Sequence, residues 1–368
     1  MFGNIYNGKR VLITGNSGFK GSWLTTWLLK LGADVFGISK DIPTDPSMFK
    51  ELNLADKIKH HQFDLRDYDK VKSTIEDIKP DFVFHLAAQP LVVPSYLDPV
   101  ETISTNVLGT THVLEALREI NNPCIGIIIT SDKCYDNVEW VWGYKETDAL
   151  GGKDIYSGSK AAAEMIIKSY YYSFFKDRTK SNVKILSTRA GNVIGGGDWA
   201  DYRIIPDCMK AWSRGEIVEI RSPESTRPWQ HVLEPLSGYL LAGQELFNND
   251  DLNGESFNFG PKPEYSQTVI ELLSDLAKYW NFKDASDAYS ITGNSQFHEA
   301  GLLKLTCDKA LFHLKWLPTL DYTKLIEFTS SWYYSFYKSK KTDLYDLTHA
   351  QIEEYEEFAK RRSIKWAD

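Results

Sequence analysis

The chain has 368 residues, 42% of them hydrophobic and 25% charged, with a formal net charge of -8 at pH 7. That length exceeds one minimal domain and suits a large domain with a second lobe, and the composition excludes a disordered chain. The acidic balance argues against nucleic-acid binding through a basic surface, although a local arginine pocket for an anionic substrate needs no basic protein.

The four cysteines, Cys124, Cys134, Cys208 and Cys307, are scattered. They form no CxxC pair and no zinc-ligand spacing, so they read as free thiols of a cytoplasmic protein, and no metal site is expected. The first residues, MFGNIYNGKRVLITG, lack the layout of a signal peptide. No apolar run approaches the roughly 20 residues of a membrane span, so no membrane partner is expected.

Residues 9–15 (KRVLITG) read as a buried strand, 19–31 as the helix that follows, and 33–39 (ADVFGIS) as a second strand. A third strand over 59–65 ends in Phe63-Asp64-Leu65, and a helix over 67–78 leads into the strand 81–88 (DFVFHLAA). A long helix near 99–119 precedes the strand 124–130 (CIGIIIT). A loop, a helix from about 156 to 176 and the strand 183–190 complete the series. This order predicts an α/β fold, a doubly wound parallel (Rossmann) sheet with helices on both faces. Burial of both faces explains why the strands are continuous apolar runs.

Beyond residue 190 the pattern changes. Residues 199–231 are rich in Trp, Arg and Pro and read as loop-built, 232–247 as a helix, and 255–260 as a short strand. The tail, 342–368, alternates acidic and aromatic residues, as a surface helix would. Residues 1–190 plus about 228–253 are therefore expected to form the dinucleotide-binding domain. About 191–227 plus 254–368 should form a smaller α+β substrate-binding lobe.

The first strand and helix are joined by Thr14-Gly15-Asn16-Ser17-Gly18-Phe19-Lys20-Gly21. Gly15 permits a tight turn, Gly18 lets the backbone approach a pyrophosphate, and Gly21 lets helix and strand pack closely. The helix N-terminus then offers N–H groups and a positive dipole end to phosphates. After the first strand of a βαβ unit, this turn predicts a bound dinucleotide. Where NAD-specific proteins usually place a carboxylate on the ribose, the chain reads Ile38-Ser39-Lys40, so either NAD or NADP fits. Asp64 either hydrogen-bonds the adenine or caps the next helix.

Tyr156 and Lys160 are four apart on a helical segment and share one face. A free tyrosine titrates near 10, too high for a base at neutral pH. Lys160 and an oxidised nicotinamide ring nearby would favour the phenolate and make Tyr156 a general base. Ser131 ends the strand 124–130, at the carboxyl edge where ligands bind, and can orient a substrate hydroxyl. Asn106 either bridges a water network near the lysine or caps locally. Trp199 and Trp229 either line a ligand or build the lobe's core.

Together TGNSGFKG, HLAAQ (85–89), NVLGT, TSDKCY (130–135) and YSGSK (156–160) resemble the extended short-chain dehydrogenases of the NAD-dependent epimerase/dehydratase family. FKGSWL (19–24), SDKCYDN (131–137), the WGYKETDALGGKD run (142–154), AGNVIGGGDWA (190–200) and RPWQHVLEPLSGYL (227–240) look like the CDP-glucose branch of the nucleotide-sugar 4,6-dehydratases. The resemblance covers essentially the whole chain and implies an intramolecular redox cycle. Tyr156 takes the proton of the sugar's 4-hydroxyl as the cofactor oxidises carbon 4, water leaves across carbons 5 and 6, and the cofactor is regenerated. In that reading Asp132 protonates the leaving hydroxyl, and Lys133 either takes the carbon-5 proton or stabilises the enolate.

The resemblance further implies cofactor contacts from Gly15, Ser17, Gly18, Phe19 and Lys20, from Ser39, Asp64 and Leu65, from Leu86, Ala87, Ala88 and Gln89, and from Asn106, Tyr156 and Lys160. Asn192, Arg203 and Arg227, with Gln230 and His231 nearby, would bind the substrate's diphosphate and nucleoside, since arginine forks suit several phosphate oxygens. A nucleotide-sugar 4-epimerase would share Ser131, Tyr156 and Lys160 but need no acid for departing water. An NAD(P)-sensing regulator would not need the three together. Ala161, Ala162 and Ala163, with the row Ile166, Tyr170 and Phe174, suggest helix pairing in a homodimer or a dimer of dimers.

Overall fold

The computed structural model describes residues 1–220, 222–262, 267–280, 282, 284–292, 302–339 and 342–368. Strands β1 (Arg10–Thr14), β2 (Asp34–Ser39), β3 (Lys59–Gln62), β4 (Phe82–His85), β5 (Cys124–Ile129), β6 (Val183–Ala190) and β7 (Ser256–Phe259) make one sheet. Its order is β3-β2-β1-β4-β5-β6-β7, and every pair is parallel. The order reverses direction between β1 and β4, which opens a crevice at the carboxyl ends of those strands. Val11 and Ile13 point into one core cluster and Leu12 into the other, so both faces of β1 are buried. The expected doubly wound sheet is present.

On one face lies α1 (Phe19–Lys30), whose buried Trp23, Leu24, Trp27 and Leu28 recur at helical spacing. The other face is covered by α2 (Tyr68–Ile78), α3 (Gly109–Glu119) and α4 (Ile155–Tyr170). Asp154 begins α4 by accepting the Ser157 N–H at 2.9 Å, an N-cap that sets where Tyr156 enters the helix.

The boundaries differ from the sequence pattern where side chains intervene. β3 stops at Gln62, and only the Phe63 N–H continues the pairing, to Ser39. The long helix near 99–119 is a short helix Pro99–Ile103, a π-helical turn Ser104–Leu108, and α3. Likewise α4 gives way to a π-turn at Tyr171–Phe175. Residues 199–231, read as loop, contain α5 (Ile204–Ser213). The helix expected over 232–247 is α6 (Leu233–Asn248). The short strand expected in the lobe is β7, which extends the main sheet beside β6 with Phe257 and Phe259 fully buried.

The lobe also contains α7 (Val269–Ala277) and α8 (Tyr322–Lys338). The tail is more than a surface helix. In α9 (Leu344–Arg361) the inward residues Ile352, Tyr355 and Ala359 are fully buried. Glu356 accepts from Trp27 Nε1 at 2.8 Å and from Lys30 at 2.9 Å, fastening α9 to α1. Trp366 follows, stacked on Tyr355 and Phe2 with centroids 5.5 and 5.0 Å away. The aromatic residues of the tail's alternation join this core, and Glu353, Glu354 and Glu357 face outward while Glu356 is buried. Trp366→Ala should therefore destabilise the protein by about 3–5 kcal/mol, seen as a lower denaturant midpoint.

Candidate active site

The glycine turn sits at the β1–β4 crevice. Gly15 has φ +76°, and a Cβ there would lie 2.8 Å from the Ala87 backbone. A Cβ on Gly21 would lie 2.1 Å from the Gly15 carbonyl. On Gly18 it would meet only the Gly15 oxygen, at 3.4 Å, so this glycine borders open space. Gly18 is the N-cap of α1 with no side-chain cap, and the first turn carries no acidic residue. Unpaired N–H groups and the dipole thus face a cradle shaped for a phosphate.

Around this cradle Ser39 is committed. Its hydroxyl donates to Asn16 at 2.8 Å and accepts the Ser17 N–H at 3.1 Å, tying the turn to β2. Asp64 is chelated by Arg66, at 3.0 Å from Nε and 2.6 Å from Nη2. Lys40 reaches Glu101 at 2.9 Å and Asp64 at 3.7 Å. The cap of α2 is Asp67, which accepts the Lys70 N–H. Asp64 is therefore not that helix's cap.

A buried chain of hydrogen bonds runs from β1 to Asn106. Thr110 Oγ1 donates to the Asn106 carbonyl at 2.7 Å, so its contact with His85 Nε2 at 3.0 Å must be one it accepts. Nδ1 is then the acceptor and takes the Thr14 hydroxyl proton at 2.7 Å. Thr14 Oγ1 in turn accepts the Ala87 N–H. Burial pushes His85 down to about 3, with the Lys160 charge adding to it, so the ring stays neutral. Asn106, in the π-turn, donates to Ser159 at 2.9 Å and to the Gln89 carbonyl, and accepts the Gln89 N–H at 2.8 Å. It bridges the loop after β4 to the residue before Lys160. Gln89's own amide folds back onto Leu91 and Thr102. Leu65 packs in the core under α2 and α3, and Leu86 and Ala87 lie partly buried at the crevice edge. Ala88 follows them, partly buried.

Ser131, Asp132, Tyr156 and Lys160 are all buried at the end of β5 and the start of α4. Ser131 Oγ donates to Asp132 at 3.0 Å and caps the turn Asp132–Cys134 by accepting the Lys133 N–H. The Tyr156 hydroxyl is bonded to Ser131. Burial pushes the phenol up to about 12, against the lowering pull of that hydrogen bond and of Arg203. Phenolate formation by Lys160 is thus not a property of the chain alone: desolvation outweighs the cations, and the side chain whose charge lowers the phenol is Arg203. Burial also pushes Lys160 down to about 8, against the Cys134 thiol and Glu164. The Lys133 side chain is half-buried, and its ammonium pairs with no described residue.

Two features here have no motif. A Cβ on Gly191 would fall 1.8 Å from Asp132 Oδ2, so this glycine exists to admit the carboxylate. Beneath the site, Glu164 accepts from Arg189 at 2.7 Å, from Ser187 at 2.9 Å and from Thr130. Arg189 continues to the Tyr135 hydroxyl at 2.8 Å, which donates to Asn258. The YxxxK spacing extended one turn to Glu164 could have signalled this pair.

In the lobe, Arg203 precedes α5 and is paired with buried Asp198 at 2.7 Å, with Tyr156 among the groups acting on its charge. Asn192 has φ +42°, and its carbonyl accepts the Gln230 N–H. Gln230 Nε2 braces the carbonyls of Gly191 and Phe259. His231 is enclosed by Trp23 and Phe328, accepts the Leu233 N–H, and burial pushes it down to about 3. Both are core braces in this structure. Arg227 belongs to the two-residue strand Thr226–Arg227, paired with Gln267–Thr268. Trp199 is core, bonded to Tyr337 and packed on Trp332 and Phe336. Trp229 donates to the Gln267 carbonyl.

The profile of the GDP-mannose 4,6 dehydratase family matches residues 12–329. The chain belongs to that family. It is 44% identical over 354 residues to a CDP-glucose 4,6-dehydratase of Salmonella typhimurium, covering 96% of this chain and 97% of that one. An epimerase from Methanothermobacter thermautotrophicus has a similar fold, with TM-score 0.78, 21% identity, and 91% and 94% of the two chains covered. A UDP-glucuronic acid 4-epimerase from Bacillus cereus, in complex with UDP-glucuronic acid and NAD, gives TM-score 0.75 at 21% identity over 89% and 99%. Membership in the dehydratase family makes the protein a hydro-lyase.

Gly191 is what lets the Asp132 carboxylate stand where it does. Gly191→Ala should displace the carboxylate and lower turnover roughly 100-fold, while the folded circular-dichroism spectrum is retained.

Proposed function

We propose that the protein is a CDP-glucose 4,6-dehydratase, converting CDP-D-glucose to CDP-4-dehydro-6-deoxy-D-glucose and water, with NAD bound. The observation that carries this reading is Asp132 held beside Ser131 and Tyr156 at the sheet's carboxyl edge, in a chain 44% identical to an enzyme of that name. An epimerase has no use for a carboxylate there.

The cradle around Gly18 fits a dinucleotide diphosphate. The charges near Ser39 support NAD over NADP, because Lys40 is already matched by Glu101 and Asp64 and a 2′-phosphate would meet those carboxylates. Bound there, NAD would supply a reversible two-electron acceptor and a positive charge. Asn106 positions the segment before Lys160, and Lys160 would hold the nicotinamide-side ribose. Ser131 orients the sugar's 4-hydroxyl, and Tyr156, a neutral phenol in the chain alone, would become the base for its proton once the cofactor's positive charge joins that of Arg203. Asp132 serves the departing 6-hydroxyl, and Lys133, on the same turn and with no ion pair among the described residues, serves the carbon-5 proton. Arg203 and Arg227 hold the diphosphate with Asn192, while Gln230 and His231 support the lobe around it. The enzyme belongs in the cytoplasm, in keeping with its unpaired thiols, and in deoxysugar synthesis for surface polysaccharide.

Assembly is proposed through the helices flanking the site. Ala161 and Ala163 are buried within the chain, and Tyr170 bonds Glu115, so the small-residue stripe serves internal packing. Val100, Ile103, Leu108, Met165 and Tyr172 remain exposed on neighbouring helices, an apolar face suited to a second copy. Light scattering at micromolar concentration should show a dimer or a dimer of dimers; a monomer would refute it.

With NAD and CDP-glucose, a 4-keto sugar should form, read by its absorbance after alkali. Tyr156→Phe should lose about 100- to 10,000-fold in rate. Formation of an epimer alone would overturn the assignment.

A further inference from the structure

Gly191 lies one residue past the last pair of β6 and β7, Ala190 and Phe259. A side chain from outside the sheet joins the two strand ends there. Gln230 Nε2 donates to the Gly191 carbonyl at 2.9 Å and to the Phe259 carbonyl at 3.1 Å. Only an NH2 group can serve two carbonyl oxygens, so the orientation of the amide is fixed. The Gln230 main-chain N–H reaches the Asn192 carbonyl at 3.2 Å, so one residue grips two successive carbonyls. Asn192, at φ +42°, is in the left-handed region, which persists only where the surroundings hold it. Asp132 Oδ2 rests against this clamped backbone: a Cβ on Gly191 would fall 1.8 Å from it. The other oxygen, Oδ1, accepts from Ser131 at 3.0 Å. Asp132, Gly191, Gln230, Gly260 and Pro261 line one small cavity. Gln230 is buried, and its Oε1 has no partner among the described residues, a cost that an apolar side chain in the same place would avoid.

We propose that Gln230 is a positioning residue for the elimination step, fixing the Asp132 carboxyl group at the departing oxygen by way of Gly191, a role resting on the dehydratase reading above. The carboxyl group has two stops. The Ser131 hydroxyl holds Oδ1, and the Gly191 backbone is the wall behind Oδ2. Gln230 ties that wall to the end of β7. Without the amide the Gly191 carbonyl loses this donor, the turn at Asn192 can relax, and Asp132 gains room to swing away from Ser131. A misplacement on the order of 1 Å at a reacting group costs about 100-fold in rate. Ser131, Tyr156 and Lys160 are set instead by the Glu164–Arg189 pair and by Thr130, so oxidation at carbon 4 is spared. The loss of Gln230 therefore falls on one half of the reaction.

The test uses the full chain with NAD and CDP-glucose. Gln230→Met keeps the length of the side chain and removes both donors. It should lower kcat roughly 100-fold with KM little changed, while reduced cofactor accumulates on the enzyme, seen by its near-ultraviolet absorbance. Gln230→Asn keeps the amide but draws it back by one methylene, and should show the same accumulation with a loss of about tenfold. Asn253→Leu is the control. Asn253 braces β6 away from the site, accepting the Ile185 N–H and donating to the Phe175 carbonyl, each at 2.9 Å, so its loss should destabilise the fold without accumulation of reduced cofactor. Wild-type turnover in Gln230→Met would overturn the proposal. So would a loss without reduced cofactor, or equal accumulation in Asn253→Leu.

A measurement without cofactor or substrate stands apart from the dehydratase reading. The methyl group of Gly191→Ala pushes against Asp132, and the strain is held in place only while the Gly191 backbone is clamped. Gly191→Ala should lower the melting midpoint of the wild-type chain, and lower it distinctly less in the Gln230→Met or Gln230→Asn background, where the backbone can move aside. Equal shifts in the two backgrounds would show that Gln230 does not hold the wall and would sink the positioning role. Failure of wild type to form a 4-keto sugar would sink the function reading, while this cycle still decides the clamp.

Discussion

The site depends on one buried ion pair. Glu164 and Arg189 are each 3% exposed, one on α4 and one on β6, and Thr130 and Ser187 complete the carboxylate's hydrogen bonds. Thr130 precedes Ser131, and Glu164 is one turn beyond Lys160. The pair therefore sets the distance between the strand end that carries Ser131 and Asp132 and the helix that carries Tyr156 and Lys160. Removing one partner of such a pair typically costs about 3–5 kcal/mol because the other is left charged and dry. Both Glu164 oxygens and both terminal nitrogens of Arg189 are hydrogen-bonded, while the buried Arg189 Nε has no partner among the described residues.

Above that anchor, desolvation governs the chemistry. Burial raises Tyr156 and lowers Lys160 and Lys20, so each group is held away from its charged form. Arg203 is answered by Asp198, whereas Lys20 and Lys160 have no ion pair among the described residues. A crevice with unanswered cations beside a cradle of N–H groups is electrostatically incomplete without anions, and a dinucleotide and a nucleotide sugar together bring several phosphate charges. Phosphate anions there would favour the charged form of the lysines, whereas the phenol needs the added positive charge of the cofactor ring in the function proposed above.

The rest of the fold serves to keep this edge still. His85, Thr14, Thr110 and Asn106 form a closed set of donors and acceptors across the switch point, and the wide turn at Ser104–Leu108 aims Asn106 at both the β4 loop and α4. Such π-turns cost helix regularity and recur where a side chain must be redirected. The aromatic tail closes over α1 from the opposite side and stiffens the helix whose first turn forms the cradle.

The sequence alone determined the sheet, the glycine turn and the pairing of Tyr156 with Lys160. These depend on local periodicity and on spacing within one element, and local rules are legible without neighbours. It did not determine what surrounds those residues. Trp199, Gln230 and His231 carry functional-looking chemistry, yet they lie in the core because residues more than a hundred positions away, or across the sheet, enclose them. Gly191 and Asp132 are far apart in the chain, and their near-contact is visible only once β5 and β6 lie side by side. The pKa of Tyr156 was likewise beyond the sequence, because desolvation is set by everything packed around the phenol rather than by the lysine four residues on.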